Sequence, residues 1–304
     1  MWRKTPSTGD RFALVVCNAS GCADSTAFPV VIRGTSGVGF IPGRSMNNAP
    51  IGVFDSGVGG LTILREIQRQ LPAESIVYIG DTANCPYGGK SATEIHSLAR
   101  QIMLQMRDLG AKLVVVACNT ISVNCIADLR AEFPEMPIVG TAPAVKTASA
   151  VSKSRKIGVL STVATANSPY QAMLVEQFAS DCSVTNVGTN ELVPRIERGA
   201  WSTELPDVLP AVLAPFRDAG VDALVLGCTH YPLLRDEISE FLGPDVAVVD
   251  SGEAIARQVG RVLEANGLQN ESGLPPEYRY LTTADSPALD NVLARLGIEL
   301  PVAI

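Results

Sequence analysis

Histidine is nearly absent from this chain. His96 and His230 are the only two in 304 residues, and neither has a second His or Cys at zinc-ligand spacing, so no resident metal is expected. Paired cysteines are missing as well. Cys17, Cys22, Cys85, Cys118, Cys125, Cys182 and Cys228 are odd in number and lack short regular spacings, which argues against a secreted disulfide framework and for a reducing cytoplasm. No apolar run approaches the roughly 20 residues of a spanning helix, so a membrane is not an expected partner. Excess positive charge is lacking too: the formal net charge of −7 offers no footprint for nucleic acid or an anionic bilayer. The basic start Met1-Trp2-Arg3-Lys4 is followed by no apolar stretch, so a signal peptide is not expected.

What is present is 46% hydrophobic and 18% charged, with 26 Gly and 20 Pro, the profile of a globular α/β protein. Its organising feature is an echo. The apolar run Leu113 to Val116 ends in Ala117-Cys118-Asn119-Thr120, and the run Ala223 to Leu226 ends in Gly227-Cys228-Thr229-His230. Each reads as a buried parallel strand delivering a cysteine to the sheet's carboxyl edge, where open α/β sheets bind ligands. Ile51-Gly52-Val53-Phe54 likewise matches Ile157-Gly158-Val159-Leu160. Ile51 and Gly80 are 29 positions apart and Ile157 and Gly188 are 31; Gly80 and Cys118 are 38 apart and Gly188 and Cys228 are 40. Landmarks in the same order at nearly the same spacing indicate an internal duplication.

Strand and helix patterns alternate from Ile51 onward, which implies right-handed crossovers and parallel sheets. The expected fold is α/β: two similar parallel-sheet α/β domains related by pseudo-symmetry, with the active site in the cleft between them. The expected domains are 46–145 plus 250–304, with 146–249 as the second. A helix over Ser251 to Asn266 is expected to return to the first half, followed by a late strand at Tyr278 to Thr283 and a loose tail after Leu300. Residues 1–45 read as a weakly packed appendage before Met46, with a hairpin of Phe12 to Cys17 and Phe28 to Arg33.

Between the first strand and helix, Asp55-Ser56-Gly57-Val58-Gly59-Gly60 is neither a P-loop nor a dinucleotide fingerprint. Its glycines permit close approach to a small anion at a helix amino end, and Asp55 reads either as a cap or as a functional carboxylate. Cys85-Pro86-Tyr87-Gly88-Gly89-Lys90-Ser91 is either a plain surface turn or a loop whose Tyr87 hydroxyl closes over a ligand. Cys118 and Cys228 read as inert core thiols or as reactive ones. A thiol of pKa about 8.5 needs a helper to work at neutral pH; Asp55 can serve Cys118, and His230 and Glu197 can serve Cys228. Cys85, Cys125 and Cys182 lack such context and read as structural. Two opposed thiols suit proton removal on one face of a carbon and delivery on the other, which inverts a stereocentre.

At these residues the chain resembles a known family. Asp55 to Leu61, Pro86-Tyr87-Gly88 with Lys90-Ser91, Val116 to Thr120, and Leu226 to Pro232 are similar to the four signatures of the glutamate racemases, within the aspartate/glutamate racemase superfamily. The likeness runs from about Ile51 to Asn266. It implies a cofactor-independent enzyme that interconverts L- and D-glutamate and supplies the D-isomer to peptidoglycan precursors. By motif position, Cys118 would act on the D-isomer's α-proton with support from Asp55, and Cys228 on the L-isomer's with support from Glu197 and His230. Asp55, Ser56, Tyr87, Gly88, Asn119, Thr120, Thr162, Thr165, Thr229 and His230 would bind the substrate. Glutamate is the implied partner, and a homodimer is among the assemblies allowed. The chain departs from the family at Thr189-Asn190, where a Cys-Pro pair is usual, and at Asn84, Cys85 and Ile121. Glu191, if it faced the site, would disfavour a substrate side-chain carboxylate. The alternatives are a racemase for aspartate or another acidic amino acid, and a binding module that has kept the fold.

Overall fold

The computed structural model describes residues 12–14, 30–34, 46–201 and 203–298. Its first sheet is built on β3 (Ile51–Asp55), β4 (Ile76–Gly80), β5 (Leu113–Val116) and β6 (Ile138–Gly140), all parallel, in the order β4-β3-β5-β6. The second is β7 (Lys156–Ser161), β8 (Ser183–Gly188), β9 (Ala223–Leu226) and β10 (Ala247–Val249), in the order β8-β7-β9-β10. The two orders are the same. Asp55 pairs with Gly80 in one sheet as Ser161 pairs with Gly188 in the other, so the sequence echo is an echo of register.

The central strands β3, β4, β5 and β9 are buried at every position, because helices cover both faces. Each fully buried Val, Ile or Leu contributes about 1.5–3 kcal/mol. Edge strand β8, by contrast, has an alternating polar sequence and is partly exposed along its length. Helix α1 (Leu61–Gln70) follows the glycine loop, and α2 (Ala92–Asp108) starts at a capping box in which Ser91 and Glu94 satisfy each other's backbone amides. Helix α3 (Asn119–Glu132) begins immediately after Cys118.

After β10 the chain returns. Helix α10 (Gly252–Ala265) buries Ile255, Ala256, Val259 and Leu263 and packs on α1, as expected. Strand β11 (Tyr278–Thr282) then adds parallel to β4. The expected hairpin pairs as β1 (Phe12–Leu14) with β2 (Val30–Gly34), and it does not stand alone: β2 lies antiparallel to β11 and extends the first sheet to seven strands. The rest of residues 1–45, and the tail after Leu300, lie outside the described residues. One apolar core runs from the first sheet into the second, joining Val53 and Leu113 to Leu160, Leu226 and Tyr231. No helix among the described residues is long and apolar enough to cross a membrane.

Candidate active site between the two sheets

Strands β5 and β9 are equivalent in the two halves, and each is followed two residues later by a buried cysteine, Cys118 at 4% exposure and Cys228 at 6%. Both thiols line one cavity between the sheets, of about 10 Å³, room for roughly one water. Ser56, Gly88, Asn119, Thr120, Thr162 and Thr229 line it as well, together with Tyr87 and His230. An amino acid therefore enters only if the walls separate. Of the residues singled out in the sequence, Asp55, Glu197 and Thr165 stand behind the lining instead of in it, and each touches a residue that does line it.

Cys118 Sγ lies 3.7 Å from Ser56 Oγ, to which it donates. Burial, followed by the charge of Asp55, pushes the Cys118 thiol well above its ordinary value, so it is a protonated thiol at neutral pH. Asp55 is wholly buried. Its Oδ2 accepts from Gly57 N at 3.2 Å and its Oδ1 from Thr229 Oγ1 at 3.1 Å, so it closes the turn after β3 and ties it to the end of β9. Burial raises its pKa, against the pull of nearby His230.

His230 is 1% exposed and has a partner on each ring nitrogen. Nδ1 is 3.7 Å from Cys228 Sγ, and Nε2 is 2.6 Å from Glu197 Oε1. Burial works against the charged ring, but hydrogen bonds to Cys228, Cys85 and Glu197 outweigh it and hold the imidazole well above its usual value. The same Glu197 oxygen accepts from Val58 N at 2.8 Å. The glycine loop thus does bind an anion through its backbone, and that anion is a side chain of the protein. A Cβ at Gly57 would stand 1.9 Å from Glu197 Oε1, and one at Gly59 2.4 Å from His230 Nδ1, so the missing side chains are what let the loop close on this pair.

Three threonines line up across the halves. Thr120 Oγ1 is 2.9 Å from Thr162 Oγ1 and 3.3 Å from Thr165 Oγ1, and Thr162 donates to Thr165 at 3.0 Å. Beside them, buried Asn119 Oδ1 has no hydrogen-bond partner, an acceptor left over at the cavity wall.

Tyr87 lines the cavity, and its hydroxyl is already engaged by a carboxylate. It donates to Asp81 Oδ2 at 2.5 Å, because Asp81 also gathers Asn84 and Thr283 and anchors the whole loop to the end of β11. Glu191 is turned out to solvent beside Arg195 and leaves the cavity free of an extra charge. Two site residues were missed in the sequence. Asn190 lines the cavity and accepts from Val163 N; its only sequence signal was its place in the Thr189-Asn190 departure. Cys85, read as structural, lies against Glu197 and His230, and burial pushes its thiol up to about 12.

The model of the Asp/Glu/Hydantoin racemase family matches residues 51–259. The chain is 44% identical over 253 residues to the glutamate racemase of Pseudomonas entomophila, which spans 83% of this chain and 95% of that one. Among solved structures, a glutamate racemase isoform of Bacillus anthracis superposes with a TM-score of 0.74 at 36% identity, covering 84% of this chain and 96% of that one. The glutamate racemase of Francisella tularensis in complex with D-glutamate superposes with a TM-score of 0.72 at 34% identity, covering 83% and 95%.

Proposed function

This chain belongs to the Asp/Glu/Hydantoin racemase family, and we propose that it is a glutamate racemase working through Cys118 and Cys228. The observation that carries the mechanism is the pair of buried thiols at equivalent strand ends, lining one cavity from opposite halves. A substrate α-carbon held between them has one thiol on each face. Conversion of L- to D-glutamate starts with Cys228 as thiolate beside His230, which takes the α-proton, while the protonated Cys118 thiol delivers its own to the other face. The reverse reaction exchanges the roles. Each turnover leaves one thiol protonated where it was not, and the protons return through solvent.

The surrounding groups suit an amino acid. The unpartnered Asn119 Oδ1 accepts from the α-ammonium, with Ser56 beside it. The amino end of α3 and the hydroxyls of Thr120 and Thr162 favour a carboxylate. Asp55 and Glu197 act from behind: Asp55 orients Thr229 and tunes Cys118, and Glu197 orients His230 and helps keep it charged. Tyr87 and Gly88 shape the wall, and Thr165 supports the threonine row. The protein acts in the cytoplasm, as a monomer or homodimer, on free glutamate for peptidoglycan synthesis.

The test is optical rotation of L-glutamate with purified protein and no added cofactor, beside L-aspartate. Decay with glutamate alone supports the reading. Decay only with aspartate transfers it to a sister racemase, and no decay with either leaves a binding module on this fold.

A further inference from the structure

A third thiol stands beside the pair assigned to proton transfer. Cys85 Sγ, a carboxylate oxygen of Glu197 and a ring nitrogen of His230 lie within 4.8 Å of one another. They come from three separate elements: the loop after β4, the end of helix α7 (Leu192–Glu197), and the turn after β9. Sulfur, imidazole nitrogen and carboxylate oxygen together form a donor set for a borderline-soft divalent ion. We propose that Cys85, Glu197 and His230 form a site for a divalent transition metal of the zinc class, and that its occupation stops proton transfer at Cys228.

The geometry is near what such an ion requires. Bonds of about 2.0–2.3 Å in a tetrahedron put ligand atoms roughly 3.3–3.6 Å apart, so no pair need close by more than about 1.5 Å. The His230–Glu197 contact of 2.6 Å opens as the ion replaces the proton between them. Both ligands are already oriented from outside, Glu197 by Val58 N and the His230 ring by Thr229 and Cys228 at Nδ1. Access exists on one side, since Cys85 is partly exposed and the Glu197 side chain is 14% exposed, whereas His230 is sealed.

Binding converts the Cys85 thiol to a thiolate and takes Nε2 of a neutral imidazole, so it releases up to two protons to solvent and tightens as pH rises. No electron transfer is involved. With Nε2 on the metal, His230 no longer carries the proton it holds for Glu197, and a divalent charge sits next to Cys228. The inhibition rests on the roles proposed above for Cys228 and His230; the binding does not.

The experiment is titration of the full chain with Co²⁺, read by the thiolate-to-cobalt charge-transfer band. One equivalent should develop the band, and Zn²⁺ should bleach it. Cys85→Ser and Cys85→Ala should both lose it, and Cys118→Ser should keep it, with near-ultraviolet circular dichroism establishing that each variant is folded. Outer-shell changes alone weaken metal affinity about 10–100-fold, so removing a direct ligand should raise the Zn²⁺ concentration that half-inhibits racemisation by at least that factor. No band in the unaltered protein, or a band of equal affinity in both Cys85 variants, overturns the site. Because the band is read without substrate, it stands or falls separately from the glutamate racemase reading.

Discussion

Asp55 and Thr229 are 174 positions apart and share a hydrogen bond of 3.1 Å. One ends a strand of the first sheet and the other follows a strand of the second, so this bond closes the site across the two halves. Thr229→Val keeps the shape and removes the donor, leaving buried Asp55 Oδ1 without a partner. The expected cost is about 1–3 kcal/mol in denaturant unfolding. An unchanged unfolding midpoint would show that Asp55 does not depend on this link.

The Glu197 carboxylate joins Cys228 and Cys85 in keeping His230 charged. In Glu197→Gln that contribution is gone while burial and the bonds to Cys228 and Cys85 remain, so the imidazole pKa should fall from its raised value. With only two histidines in the chain, imidazole NMR resolves the titration directly. In the unaltered protein the folded pKa is raised, so this pair contributes stability that is full below pH about 6.5 and is lost as pH rises through the folded value. Glu197→Gln should flatten that alkaline fall.

Gly59→Ala should place a methyl group 2.4 Å from His230 Nδ1 and push the ring from Cys228. A displacement of about 1 Å at such a centre costs on the order of 10²-fold in kcat/KM. Gly89→Ala meets only Asn190 Nδ2, at 3.7 Å, and should leave kcat/KM nearly unchanged. Equal effects of the two would remove the close packing at Gly59 as the cause.

Far from the cavity, Lys112 Nζ lies 2.6 Å from Glu74 Oε2 and donates to Asn47 O, with the Lys112 side chain fully buried. Lys112→Met strands the carboxylate and should cost about 3–5 kcal/mol. Adding Glu74→Gln should recover part of it, which urea unfolding of the single and double variants measures.

The strand ends were legible because a buried parallel strand has to be an unbroken apolar run, and Leu113 to Val116 and Ala223 to Leu226 say so openly. The duplication was legible because register repeats with spacing: Gly80 and Gly188 mark the same place in both sheets. What sequence spacing could not carry was contact between distant loops. Cys85 sits in a turn whose local chemistry explains it completely, and only the meeting with Glu197 and His230 gives it company. Tyr87 looked free because Asp81, which holds its hydroxyl, is itself fixed by Thr283, just past the end of β11 and 202 positions later. The anion suited to the glycine loop likewise turned out to be Glu197, 139 positions from Val58.

The most direct test of the two-thiol account is isotope incorporation. L-Glutamate is incubated in D₂O with the unaltered protein, Cys118→Ser and Cys228→Ser, and D-glutamate is recovered at early conversion. The account predicts one deuterium at the α-carbon of the product, and a fall of about 10²–10⁴-fold in the rate of its formation in either variant. Product that keeps its protium, or racemisation that survives either substitution undiminished, would contradict it.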